Sequence, residues 1–105
     1  MKREPWCPVA YTARTFAGKW KGLILLHLKD EPQRFGELKR LIPGITARAL
    51  TMQLRALEED ALVLREDRSE DAILNVQYQL TERARSLGAI LDAMYAWGEA
   101  HRPAG

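Results

Sequence analysis

The dipeptide Pro43-Gly44 constrains this chain more than any other feature. Proline removes a backbone donor and fixes φ, while glycine readily takes a positive φ, so the pair marks a tight turn. On one side Phe35, Leu38, Leu41 and Ile42 recur at helical spacing. On the other side Leu50, Leu54 and Leu57 do the same, with Ala61 next in the series. Thr46 stands just before the second run, where its hydroxyl can accept a free backbone N–H of the next turn. The spacing predicts a short helix ending near Ile42 and a second helix over Ala47 to Glu59. Helices this short are marginal alone and hold only if their apolar stripes meet in a shared core.

Two strand-like segments follow. Leu62 to Glu66 is the first, and Leu74 to Leu80 the second. In the second, Leu74, Val76, Tyr78 and Leu80 alternate with polar residues, the pattern of a half-buried strand. Upstream, a helix is expected from Val9 to Phe16, interrupted at Gly18, and another from Lys19 to Leu28. The latter carries a stripe of Trp20, Leu23, Ile24, His27 and Leu28, and Asp30-Glu31-Pro32 ends it. Arg34-Phe35 can pair briefly as a strand. Thr81 caps a last helix running to about His101, with an apolar stripe of Leu87, Ile90, Leu91, Met94 and Trp97. Five helices and a hairpin in 105 residues make one domain, residues 1–105. Two short helices across a turn, then a hairpin, is the order of a winged helix-turn-helix. The fold class is mainly α with a small β-hairpin wing.

Charge distribution points to a partner. The net charge is only +2. Residues 34–55, however, hold Arg34, Lys39, Arg40, Arg48 and Arg55 against the single acid Glu37. A basic block in mid-chain is the footprint of a phosphate-binding surface, although a solvated helix face has the same composition. Residues 56–71 reverse the sign, with seven acids against Arg65 and Arg68.

Other classes find little support. One cysteine allows no disulfide within the chain, and the composition suits a reducing cytoplasm. The longest apolar run, Gly22 to Leu28, is far short of the roughly 20 residues that span a bilayer, and no targeting segment is expected behind Met1. Cys7, His27 and His101 lack the spacing of metal ligands, and His27 is expected as a packed core residue. No phosphate loop, carboxylate pair or nucleophile motif appears. The reading is a binding protein, not an enzyme, with no cofactor or metal.

Helical geometry sorts the residues after the turn. At about 100° per residue, Leu54 and Leu57 lie within about 40° of Leu50. Arg48, Met52, Arg55 and Glu59 then point the opposite way, with Thr51 on the flank. The surface offered to DNA is Thr46, Arg48, Thr51, Met52 and Arg55. Arginine can donate two hydrogen bonds to guanine, and Thr or Met can touch a thymine methyl. Arg34, Lys39 and Arg40 are candidate phosphate contacts, and Arg68 is the wing's candidate.

The whole set resembles the HxlR-type winged-helix regulators. The residues that carry the resemblance are Cys7-Pro8, Gly18-Lys19-Trp20 with Ile24-Leu25, and Arg34-Phe35-Gly36-Glu37-Leu38. Pro43-Gly44-Ile45, Leu50-Thr51, Leu54, Leu57-Glu58, Val76, Tyr78, Leu80-Thr81 and Trp97-Gly98 follow in order. The resemblance implies a homodimer on a pseudo-palindromic operator, built through the N-terminal segment and the last helix. It also implies that a cysteine near the N-terminus senses oxidants or electrophiles in many members. The chain departs from the pattern at Asp60-Ala61, where Asp-Gly is usual. It departs again from Ala72 to Asn75, where a proline usually precedes the second strand, and at Ala84, where a glycine is usual. The loop from Asp67 to Asp71 carries three acids and Arg68, a poor composition for meeting phosphate.

The residues themselves also suggest a dimer. Trp6, Tyr11, Phe16, Leu87, Ile90, Leu91, Met94, Tyr95 and Trp97 are more apolar surface than a core this small absorbs. Cys7 before the first helix meets free N–H groups and a partial positive charge, a setting that favours a thiolate, and Arg3 or Arg14 can add to it. The alternative for Cys7 is a small apolar interface residue, with a small-molecule effector in the dimer crevice as the signal. The alternative for the whole chain is a winged-helix module for protein contacts without DNA binding.

Overall fold

A computed structural model describes residues 5–104. The elements run α1 (Pro8–Thr15), α2 (Lys21–Leu28), β1 (Gln33–Arg34), α3 (Phe35–Leu41), α4 (Ala47–Glu59), β2 (Val63–Asp67), β3 (Val76–Leu80), α5 (Glu82–Arg85) and α6 (Gly88–Ala100). The three strands form an antiparallel sheet in the order β1-β3-β2. Val63 faces Leu80 and Asp67 faces Val76 across the long pair, while Gln33 and Arg34 face Tyr78 and Gln77. Among the described residues no helix is long and apolar enough to cross a membrane.

One core unites the elements. Leu50, Leu54 and Leu57 of α4 are buried, as their spacing predicts. They meet Ile24, Leu25 and Leu28 of α2, Leu38 of α3, and Ile42 and Ile45 of the turn. Leu62, Val63 and Leu80 close it from the sheet side, and Ala84 and Leu91 from the last helices.

Several elements differ from expectation. The stripe of α2 is Ile24, Leu25 and Leu28; Leu23 is exposed and His27 only half-buried. Leu, Ile and Leu are consecutive there, so composition does not fix which side turns inward. The two expected strands shift to Val63–Asp67 and Val76–Leu80, leaving Leu74 83% exposed before β3. The brief strand is Gln33–Arg34, one residue earlier than expected. Residues 76–79 of the central strand β3 are all half-buried, without the alternation the sequence pattern predicts. The last helix is not continuous. The Ser86 hydroxyl donates to the Arg83 carbonyl at 2.6 Å and the Leu87 N–H to the Ala84 carbonyl at 2.9 Å, which tightens the chain into a turn. Serine competes in this way for backbone acceptors, and the following Gly88 is a weak helix former.

Ala61 does not extend the inner face of α4. It is exposed, at φ +58°, just past the helix end. The Ala61 N–H donates to the Glu58 carbonyl at 3.0 Å and the Leu62 N–H to the Leu57 carbonyl at 2.9 Å. That pair of bonds is a Schellman closure, whose left-handed residue is usually glycine. The Thr81 hydroxyl donates to the Ala61 carbonyl at 2.7 Å and pins the corner to the end of β3. A non-glycine residue in this region carries about 1–2 kcal/mol of strain, partly offset by the extra freedom that glycine loses on folding. Ala61→Gly is therefore expected to raise stability by about 0.5–1 kcal/mol in urea unfolding. A decrease would show that the methyl group makes a contact worth more than the strain.

Candidate nucleic-acid interface

The interface is built around the turn between α3 and α4. Glu37 Oε1 accepts the Arg34 N–H at 2.9 Å and fixes the start of α3. At the other end the Ile42 N–H donates to the Leu38 carbonyl at 3.1 Å, and Ile45 N–H to the Ile42 carbonyl at 3.3 Å. Gly44 makes the reversal at φ +87°, a value that L side chains rarely adopt. Thr46 Oγ1 accepts the Ala49 N–H at 3.0 Å, the expected cap. The anchored turn aims α4 by burying Ile42 and Ile45 on one side and Leu50 on the next.

The outward surface of α4 carries Arg48, Met52 and Arg55, all exposed. Thr46 is exposed at the N-terminus, and Thr51 is half-buried on the flank. Among the described residues, neither Arg48 nor Arg55 enters an ion pair. Lys39 and Arg40 are exposed in the last turn of α3. Arg34 stands at the junction of β1 and α3, on the Arg40 side of α3. It lines a shallow polar cleft with Glu31, Glu37, Arg40 and Gln77, so two carboxylates share its surroundings.

The wing has a different character. Arg68 Nε lies 2.9 Å from Glu66 Oε1, so the candidate cation of the wing is already engaged with a carboxylate. Asp67 Oδ1 accepts the Ser69 N–H at 2.9 Å, and these bonds to Ser69 hold the Asp67 carboxyl below its ordinary pKa. Glu70 and Ile73 exchange backbone hydrogen bonds at 3.1 and 2.9 Å and close the tip. Ile73 and Leu74 are exposed there, beside Glu70 and Asp71.

The N- and C-terminal elements form a second surface. Leu91 is buried in the core, and Leu87 and Phe16 pack half-buried against it. Trp6, Tyr11, Ile90, Met94, Tyr95 and Trp97 remain exposed, Trp97 to 66%. Pro8, Val9, Thr12, Ala13 and Phe16 of one side face Ile90 and Met94 across an apolar groove of about 430 Å³. Of the α1 wall of this groove, sequence reasoning named Phe16 and missed Pro8, Val9, Thr12 and Ala13. The wall's signal was present, since Val9, Thr12, Ala13 and Phe16 follow the 3- and 4-residue spacing of a helix face. Cys7 is exposed at the rim as the N-cap of α1, and its Sγ accepts the Ala10 N–H at 3.5 Å. Arg14 lines a cleft on the opposite side of α1 with Tyr11 and Arg83, and Arg3 lies outside the described residues.

Comparison with known proteins agrees with this geometry. A family model described as HxlR-like helix-turn-helix matches residues 15–105. YybR of Bacillus subtilis (strain 168), an uncharacterized HTH-type transcriptional regulator, is 45% identical over 96 residues, which covers 91% of this chain and 76% of the relative. The solved structure of the redox regulator HypR in its reduced form has a TM-score of 0.85 at 44% identity, covering 91% of this chain and 94% of its own. Diamide-treated YodB from B. subtilis has a TM-score of 0.73 at 33% identity, covering 92% and 96% respectively. The chain belongs to the HxlR-like helix-turn-helix family, a family of DNA-binding transcriptional regulators.

Proposed function

We propose that this regulator binds a pseudo-palindromic duplex operator as a homodimer, and that its affinity responds to oxidants or electrophiles through Cys7. The observation that carries the reading is the outward face of α4, where Arg48 and Arg55 stand exposed beyond a capped N-terminus, without ion-pair partners among the described residues. A helix of this kind fits the major groove with its first turns on base edges. Lys39 and Arg40 supply phosphate contacts from the preceding helix. The wing, with Arg68 bound to Glu66, contributes little to phosphate attraction.

The exposed aromatic and aliphatic surface of α1 and α6 supports the dimer, since patches of that kind usually mark association sites. Two-fold symmetry sets two copies of α4 about 34 Å apart, one turn of DNA. Cys7 supports the switch by its exposure at the edge of the same surface. With one cysteine per chain, the step needs two thiols, Cys7 and either the partner's equivalent or a small-molecule thiol. One S–S bond forms, and two electrons and two protons pass to the oxidant. A strained dimer then holds its two recognition helices at a different spacing. The likeness to a redox regulator and to a diamide-treated regulator supports this part of the reading.

The test is selection of bound duplexes from a random pool, followed by binding of the enriched site with and without diamide. Wild type is expected to enrich an inverted repeat, to lose affinity steeply with salt as counterions are released, and to change affinity after diamide. Cys7→Ser is expected to bind the same site without responding. Equal responses in both proteins would make Cys7 structural and assign the signal to a small molecule in the dimer crevice. Absence of any duplex binding at low salt would favour a module for protein contacts, a reading that the acidic wing keeps in view.

A further inference from the structure

We infer that Thr51 and Met52 form a donor-free seat for the 5-methyl group of a pyrimidine in the major groove, so that 5-methylcytosine is accepted where thymine is. The inference rests on the DNA-binding reading above and specifies what part of α4 recognises. Burial of Leu50, Leu54 and Leu57 fixes the inner side of the helix. Met52 comes two residues after Leu50, roughly 200° around the axis, and is 58% exposed. Arg48 four residues before it and Arg55 three residues after it are its neighbours on that face.

The hydrogen-bonding inventory of this patch is what decides its chemistry. The Thr51 hydroxyl donates its only proton to the Ala47 carbonyl at 2.9 Å. The Met52 thioether has no proton to give. Thr51 and Met52 together therefore offer no donor, while the part-exposed Gln53 amide stands on the other flank of Met52. Guanine O6 and N7, adenine N7 and thymine O4 are acceptors that find no donor in this pair, but the purines also lack the 5-methyl group that gives thymine a contact here. A pyrimidine methyl group asks for no partner and gains from contact with the thioether and the threonine methyl. Thr51 Oγ1 keeps lone pairs, which suit the amino groups of cytosine and adenine and give thymine O4 nothing. Contact with the methyl group is therefore what favours thymine and 5-methylcytosine. The seat thus senses the methyl group and tolerates either pyrimidine beneath it, which makes operator binding sensitive to cytosine methylation.

The experiment uses the full chain and the operator obtained by selection. Each thymine of a half-site is replaced in turn by deoxyuridine, which lacks only the methyl. Wild type is expected to lose about fourfold in affinity at one position per half-site, the value of one buried methyl group. Met52→Ala, folded as judged by circular dichroism, is expected to bind the thymine and deoxyuridine operators alike, and Met52→Leu to retain the difference. At that position a 5-methylcytosine·guanine pair should bind about fourfold tighter than cytosine·guanine. Equal binding of thymine and deoxyuridine at every position would overturn the inference while leaving the regulator reading intact. So would a methyl effect of the same size in Met52→Ala, or indifference to cytosine methylation. A pool that yields no enriched site overturns the inference together with the DNA-binding reading beneath it.

Discussion

Arg48→Ala and Arg55→Ala are each expected to weaken binding to the selected operator by about 5- to 140-fold, the effect of losing a side chain that reads a base edge. Both side chains are exposed on the outward face of α4 and neither is held by a carboxylate among the described residues. Neither is therefore needed for folding, and the unfolding midpoints should stay close to wild type. Lys39→Ala and Arg40→Ala should behave differently. They stand on α3, the helix proposed to meet the phosphates, so affinity should fall by similar factors for the operator and for unrelated duplexes. The slope of log affinity against log salt should also shrink by about one for each. Titrations at two or three salt concentrations separate the two classes. If Arg48→Ala and Arg55→Ala both leave operator affinity unchanged, α4 is not the reading element.

Leu50→Ala should be the most damaging of single core changes on α4. The side chain is fully buried and sits where α4 meets the turn and α2. Truncating a leucine in such a site costs about 2–5 kcal/mol, a large part of the roughly 5–15 kcal/mol that holds a small domain together. The urea midpoint should fall sharply with little change in slope. Met52→Ala, two residues away and outward, should leave the midpoint nearly unmoved. A small loss for Leu50→Ala would mean that neighbouring side chains collapse into the space.

Much of this architecture was legible in the sequence because local signals agreed with one another. Pro43-Gly44, Thr46 and the Leu50, Leu54, Leu57 spacing all specify the same start, direction and inner side for α4, and the helix runs over the expected residues. Where signals conflict or are too uniform, the reading slipped. In α2 the consecutive Leu23, Ile24, Leu25 and Leu26 leave the inward side to tertiary packing, which chose Ile24 and Leu25 over Leu23. Ala61 continued a helical spacing, but its backbone is set by the Schellman closure and by Thr81, a residue twenty positions away. The break at Ser86 depends on one side-chain bond to a carbonyl, which periodicity does not register. At the interface, exposure of the α4 residues followed from the period alone. The pairing of Arg68 with Glu66 did not, because it requires the path of the wing after β2.

The break between α5 and α6 has a mechanical consequence. Beyond it, α6 is fastened to the domain only at its root. Leu91 is its single buried residue, and Lys29 Nζ lies 2.7 Å from both carboxylate oxygens of Asp92, a bond that also raises the lysine pKa. Every residue from Asp92 to Ala104 is exposed. The helix therefore resembles a cantilever, clamped near its root by one leucine and one ion pair, flanked by α1 across the groove at Ile90 and Met94, and exposed beyond. A displacement applied near its tip turns about that clamp without dislodging the side chains around Leu50. In the proposed dimer, such a pivot would let each α4 turn with its own domain as a rigid body. The stiffness that opposes the pivot comes mainly from two contacts at the clamp, Leu91 at the edge of the core and the Lys29–Asp92 pair at the surface.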